Sequence, residues 1–236
     1  MVALAGAAYS DSPQKCMDAK MPGGKVVLQV TKECDILHEN CSAFVFVDDR
    51  LKAIGISYRS VSSEGREEEE LASCMGSADN TQIIAEIEES AFEDHVPFSP
   101  GGKVSKYFFD AFTDVWEGGV GGAFTAQAKA HPDYQCWFTG HSLGGAVASL
   151  AANFVAANGI CKKANVVMYT FGEPRAGDKE YANAFDRNVA SAFRVTHHFD
   201  LIPHIPFQFM EYRHHSTEIF YPKNMSLVDP FTICKG

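Results

Sequence analysis

No stretch of this chain approaches the ~20 consecutive apolar residues that a membrane-spanning helix needs, although 46% of its 236 residues are hydrophobic. Basic charge is scarce. There are 20 Lys and Arg against 30 Asp and Glu, a formal net charge of -10, and no basic cluster or stripe. That excludes the electrostatic footprint of a nucleic-acid binder and disfavours anionic lipid surfaces, leaving neutral lipid and small esters open. No Cys-x-x-Cys pair occurs, and no Cys/His group has zinc spacing, so no metal is expected. Repeats, long linkers and breaks in composition are also missing, which predicts one domain over residues 1–236. The opening MVALAGAAYSDSP has no basic residues, so it is not a complete signal peptide. It reads as the remnant of one or, the reading we favour, as a buried N-terminal helix. The tripeptides Asn40-Cys41-Ser42 and Asn224-Met225-Ser226 match the glycosylation pattern, a short motif that arises often by chance.

Apolar runs alternate with helical spacing along the chain. KVVLQV is followed by AFVFVDD and LKAIGIS, which flank a charged turn and predict a hairpin. Residues 105–129 place Phe108, Phe109, Phe112, Val115 and Trp116 on one helical face, broken at Gly118-Gly119. Residues 134–139, 165–171, 192–196 and 218–221 read as strands. Residues 142–158 read as a helix whose sheet-facing side is made of small residues, and 181–186 as a further helix. Strands alternating with helices over this length predict an α/β sheet with parallel central strands.

Between the strand at 134–139 and the next helix stands Gly140-His141-Ser142-Leu143-Gly144, a G-x-S-x-G pentapeptide. A serine on a sharp strand-to-helix turn needs small neighbours, and the turn lifts its hydroxyl to a helix N-terminus. There the Leu143 N–H can face a developing oxyanion. The pentapeptide alone is weak, because a serine N-cap behind a glycine turn has the same letters. Its strand-before, helix-after setting is what predicts a nucleophile. In such a fold an acid and then a histidine follow the serine. Asp200 stands just past the strand at 192–196, where parallel sheets place functional groups. His214 and His215 follow in a loop; either is a candidate base, and of the two His215 is expected to be a structural hydrogen-bonder.

With these residues in hand, the chain resembles a class 3 lipase, the fungal-lipase-like branch of the α/β-hydrolases, and most of all the secreted nematode-type members. The resemblance is carried by AAYSDSPQKC, GGKVSKYFFDAF, FTGHSLGGAVASLAA, YTFGEPRAGDKEYA, FRVTHHFDLIPHIP and YRHHSTEIFY. It implies an α/β-hydrolase fold, a central mostly parallel sheet flanked by helices, with a lid segment. It implies Ser142 as nucleophile, Asp200 as acid and, because Tyr212, Ser216 and Glu218 align around it, His214 as base. Acyl transfer by such a triad needs no cofactor. It also implies a secreted monomer acting on a lipid ester, triacylglycerol first among them, at a lipid–water interface. A phospholipase or feruloyl-type esterase shares these motifs, and a non-catalytic lipid-binding homologue is the remaining alternative. Phe98, Ile202, Ile205, Phe207 and Phe209 are candidates for the acyl pocket, with a core role as the competing reading.

The sequence departs from the family at its F-R-G-[ST] motif, which supplies half of the oxyanion hole. Here Tyr58-Arg59 is followed by Ser60-Val61, and Gly76-Ser77 comes later. Residues 60–75 therefore read as an interruption, either an insertion at the lid or an unspliced segment, and the second oxyanion donor as Ser77 or Val61. Removing the segment removes Cys74 and leaves six of the seven cysteines, an even number suited to export. Cys34 and Cys41 are close enough in sequence to clip a loop. The family pattern suggests Cys16 with Cys234, and the predicted adjacency of two strands suggests Cys136 with Cys161.

Overall fold

The computed structural model describes residues 1–34, 40–62, 94–223, 225–226 and 228–235. The apolar start folds as helix α1 (Val2–Ala7), and Pro13 opens α2 (Pro13–Lys20), a position where the missing proline N–H costs nothing. Strands β1 (Gly24–Glu33), β2 (Asn40–Asp48) and β3 (Ala53–Ser62) follow as an antiparallel meander, with β2 and β3 forming the expected hairpin. The charged turn between them is fastened by Asp48, whose Oδ1 accepts from the N–H groups of Arg50 and Leu51. Two short strands, β4 (His95–Pro97) and β5 (Lys103–Ser105), lead into α3 (Lys106–Val115). The helix predicted through residue 129 is interrupted at Trp116–Val120, where Gly119 takes φ 133°, and resumes as α4 (Gly121–Ala130).

The remaining elements alternate. They are β6 (Gln135–His141), α5 (Leu143–Ala157), β7 (Val166–Phe171), β8 (Gly177–Asp178), α6 (Lys179–Asn188) and β9 (Ser191–His197), then β10 (Tyr212–Arg213), β11 (Glu218–Tyr221) and β12 (Thr232–Cys234). Eight strands form one sheet in the order β1-β2-β3-β6-β7-β9-β11-β12, and β4, β5, β8 and β10 form a second, smaller one. The five strands from β3 to β11 in that order are parallel, and the outer pairs are antiparallel. This is the mostly parallel α/β sheet that the alternation predicted. Among the described residues no helix is long and apolar enough to cross a membrane.

Helix α5 is the centre of the main core. Every residue in it except Phe154 and Ala157 is buried. Its alanines and glycines let its axis approach β3, β6 and β7 closely, and each fully buried aliphatic side chain around it contributes roughly 1.5–3 kcal/mol. The opposite face of the sheet is covered by α1 and α2 through Leu4, Ala7, Ala8, Cys16 and Met17 packed on Phe44 and Phe46. The Ser57 hydroxyl donates to the Leu4 carbonyl at 2.8 Å, tying α1 to β3.

Cys34–Cys41 and Cys136–Cys161 form as expected. The Cys16–Cys234 pairing does not. Cys16 is disulfide-bonded, but Cys234 is free and exposed. The reason is topological. Cys16 lies on α2, which packs beside β1, whereas Cys234 lies on β12, and these strands are the two opposite edges of the sheet. Strands are spaced by about 4.8 Å, far too many steps for a bond that needs Cα atoms within ~7 Å. Most of the suspected interruption, and Cys74 with it, lies outside the described residues.

Candidate active site

Parallel register sets the ends of β3, β6, β7 and β9 level with one another. Tyr58 faces Gly140, His141 faces Phe171, and Phe171 faces Val195. At this C-terminal edge β6 passes into α5 through Ser142. The Ser142 N–H donates to the Phe171 carbonyl at 2.9 Å, and the Ser142 carbonyl accepts from Gly145 N–H at 2.9 Å. Between these two bonds the serine is driven to φ 56°, ψ -132°, a conformation that costs a non-glycine residue about 1–3 kcal/mol. Gly140 is obligatory here, because a Cβ at that position would sit 2.2 Å from the Gly144 carbonyl oxygen. The result is a serine that is 3% exposed and whose Oγ has no hydrogen-bond partner. Leu143 opens α5, so its N–H is among the helix-start donors that have no acceptor within the helix.

Asp200 lies in the turn after β9, where its N–H donates to the His197 carbonyl at 2.8 Å and its Oδ1 accepts from Ile202 N–H at 3.0 Å. Its Oδ2 reaches the other way, toward Gly172, to within 2.8 Å of where a side chain there would begin. Gly172 takes φ 62°, and only glycine leaves that space to the carboxylate. The Cδ2 edge of the His141 ring borders the same space, 4.0 Å from that point. Burial pushes the His141 imidazole below its ordinary histidine range, and the Asp200 charge acts against that shift. His141 Nδ1 and the Tyr9 hydroxyl are hydrogen-bonded at 2.9 Å.

The expected base is not in this group. The His214 ring donates through Nε2–H to the Pro203 carbonyl at 2.6 Å, and it bonds neither Ser142 nor Asp200. Burial, with the Arg194 and Arg175 guanidinium groups nearby, holds His214 well below the ordinary histidine range. The cause is the anchoring of its segment. Tyr212 and Arg213 pair with Asp178 and Gly177 in the small sheet. On the other side, the His215 ring is fixed by Glu173 Oε1 at 3.0 Å and the Ser216 carbonyl at 2.9 Å, stacked on Phe185. Ser216 is held in turn by Asp186. The structure thus brings Ser142 and Asp200 to the same edge of the sheet and keeps His214 turned away.

Of the candidate acyl-pocket residues, Phe98, Ile202 and Ile205 belong to the main core, with Phe98 edge-on to Phe109, Phe112 and Tyr181. Phe207 and Phe209 are exposed and stacked on each other. Val61 continues strand β3, and Ser77 lies outside the described residues. His215 is the structural hydrogen-bonder that the sequence led us to expect, but its pairing with Glu173, and the role of Tyr9, were not foreseen. A tyrosine closing an apolar helix, and a glutamate after the β7 turn, were the available signals, but their partners are more than 40 residues away.

The chain is similar to known lipases. The family model described as lipase (class 3) matches residues 71–210, more than half of the chain. A lipase of Caenorhabditis elegans is 28% identical over all of this chain and 68% of its own length. A secreted mono- and diacylglycerol lipase of Fusarium solani is 36% identical over 45% of this chain, which spans only 32% of that protein. The crystal structure of the lipase from Rhizopus microsporus var. chinensis superposes with a TM-score of 0.79 at 25% identity, covering 99% of this chain and 75% of that one. That structure carries the α/β-hydrolase fold, and the chain belongs to the class 3 lipase family.

Proposed function

We propose that this chain acts as a serine hydrolase on carboxylic esters of lipids, with triacylglycerol as the leading substrate. The observation that carries this reading is Ser142 itself: buried, strained and unpartnered at the N-terminus of α5, with Asp200 at the same sheet edge. In this reading Ser142 Oγ attacks the ester carbonyl carbon and gives its proton to an imidazole. The oxyanion forms against the Leu143 N–H and a second donor, for which Ser77 and Val61 are the candidates. The alcohol leaves with the proton returned by the imidazole, and water then releases the fatty acid from Ser142. Asp200 orients the imidazole and stabilises its charged form. His214 can serve as that base only if its ring leaves the Pro203 carbonyl. No other described histidine bonds Ser142 Oγ either.

The disulfides fit export to an oxidising compartment. The same reading has the protein working as a monomer at a lipid–water interface. Comparing release of the acid from emulsified trioleoylglycerol, phosphatidylcholine, a feruloyl ester and soluble p-nitrophenyl esters tests it. Highest turnover on trioleoylglycerol supports the reading. Preference for phosphatidylcholine, or for a feruloyl ester, reassigns the substrate. The unassembled base is the observation that favours a non-catalytic lipid binder, and vesicle binding without turnover of any ester supports that alternative.

A further inference from the structure

We propose that Tyr9 is a positioning residue, whose hydroxyl holds the His141 ring beside the nucleophile and opposes the charged imidazolium that would form an ion pair with Asp200. The inference rests on reading Asp200 as the acid of the site. Tyr9 stands just past α1, which is pinned to β3 by the bond from Ser57 to the Leu4 carbonyl. The next residues are fixed as well, since Gln29 Nε2 donates to the Ser10 carbonyl at 3.1 Å and Ser12 N–H to Ser10 Oγ at 3.0 Å. The phenol therefore arrives from a rigid support, 2.9 Å from His141 Nδ1, with the rings tilted at 60°.

A neutral imidazole has one donor and one acceptor nitrogen. With Tyr9 donating to Nδ1, the ring proton sits on Nε2, on the edge that borders the space beside Gly172 shared with Asp200 Oδ2. Protonating Nδ1 would remove the acceptor that Tyr9 uses. The hydrogen bond thus opposes formation of a His141 imidazolium, and with it a His141–Asp200 ion pair that would divert the carboxylate from its base. Among the described residues, the groups facing His141 are Tyr9 from the end of α1, Asp200 from the turn after β9, and its neighbour Ser142. Arg59 of β3, buried beside Tyr9 with Asp11 at 3.9 Å, adds a positive charge on the Tyr9 side. That charge works in the same direction as the hydrogen bond.

The test is Tyr9→Phe in the whole protein, read by nitrogen NMR of labelled histidines, with the His141 signals assigned from His141→Gln. The wild type should show Nδ1 unprotonated and a titration midpoint below 6.5. Tyr9→Phe should raise that midpoint by about one unit, a roughly tenfold change in proton affinity. The acid limb of kcat/KM on a soluble ester should move up with it, while KM at pH 8 stays within about twofold. Adding Tyr9→Phe to Asp200→Asn should cost nothing further. If Tyr9→Phe does not fold, 3-fluorotyrosine placed at position 9 should move the midpoint downward, since the phenol becomes a stronger donor. An unchanged midpoint and tautomer in either variant overturns the proposal. The NMR reading does not depend on turnover, so a protein that hydrolyses nothing refutes the hydrolase reading while leaving the Tyr9–His141 arm decided.

Discussion

Two histidine-bearing segments of this protein contrast. At the end of β6, His141 and Ser142 sit where a parallel strand, a tight turn and a helix start fix every backbone atom, and the polar groups converge on one small volume. Between β10 and β11, His214 and His215 sit in a segment stitched to its surroundings by side chains, and the two rings face different partners. Burial holds both His141 and His214 below the ordinary histidine range. His141, however, shares its surroundings with the Asp200 carboxylate, and His214 shares its own with the Arg175 and Arg194 guanidinium groups. A carboxylate next to an imidazole favours the imidazolium that a general base must become, and guanidinium groups disfavour it. As placed, the His214 ring has surroundings that oppose its charged form, and serving as base requires it to leave the Pro203 carbonyl.

Replacing Ser142 with Ala should remove ester hydrolysis by a factor on the order of a million, measured as kcat on a soluble ester, with the fold intact by circular dichroism. Asp200→Asn should follow, with a loss of roughly 10⁴-fold. Losses at Asp200 much below that would break the contrast from the first side. Glu173→Ala leaves His215 without its carboxylate in a site where both are almost wholly buried. It should lower unfolding free energy by about 3–5 kcal/mol in urea titration. As long as the ring stays on the Pro203 carbonyl, His214→Gln should leave fluorophosphonate labelling of Ser142 within roughly threefold of wild type. A loss matching that of Asp200→Asn would make His214 the base and end the contrast.

His214 also makes a pH prediction. Its folded pKa lies below the ordinary value of 6.5, so below that pH the unfolded chain takes up a proton that the native ring refuses. Stability should fall as pH drops from about 6.5 through the folded value and be insensitive to this group above 6.5. The acid-side fall in Tm should be shallower in His214→Gln.

The contrast also marks what the sequence could convey. The elbow was legible because its causes are local: a six-residue apolar strand, two glycines and a small-residue helix all fall within about 25 residues. The β2–β3 hairpin and the strand at Glu218–Tyr221 were legible for the same reason. The small sheet was not. Its strands are two or three residues long, too short for a periodicity of two to register. That omission carried over to the site, because the pairing of β10 with β8 anchors the segment that carries His214. The sequence could set His215 apart as the structural member of the doublet, but where each ring sits depends on nonlocal partners, Pro203 for one and Glu173 for the other. The Cys16–Cys234 expectation failed similarly, since which strands form the two edges of the sheet is a property of the whole topology.

Labelling the purified protein with a fluorophosphonate and mapping the modified residue by mass spectrometry bears most directly on Ser142 as an activated nucleophile. Modification at Ser142, lost in Ser142→Ala and slowed strongly in Asp200→Asn, is the result expected here. A folded protein that stays unlabelled, or is labelled at another serine with Ser142 untouched, would contradict it.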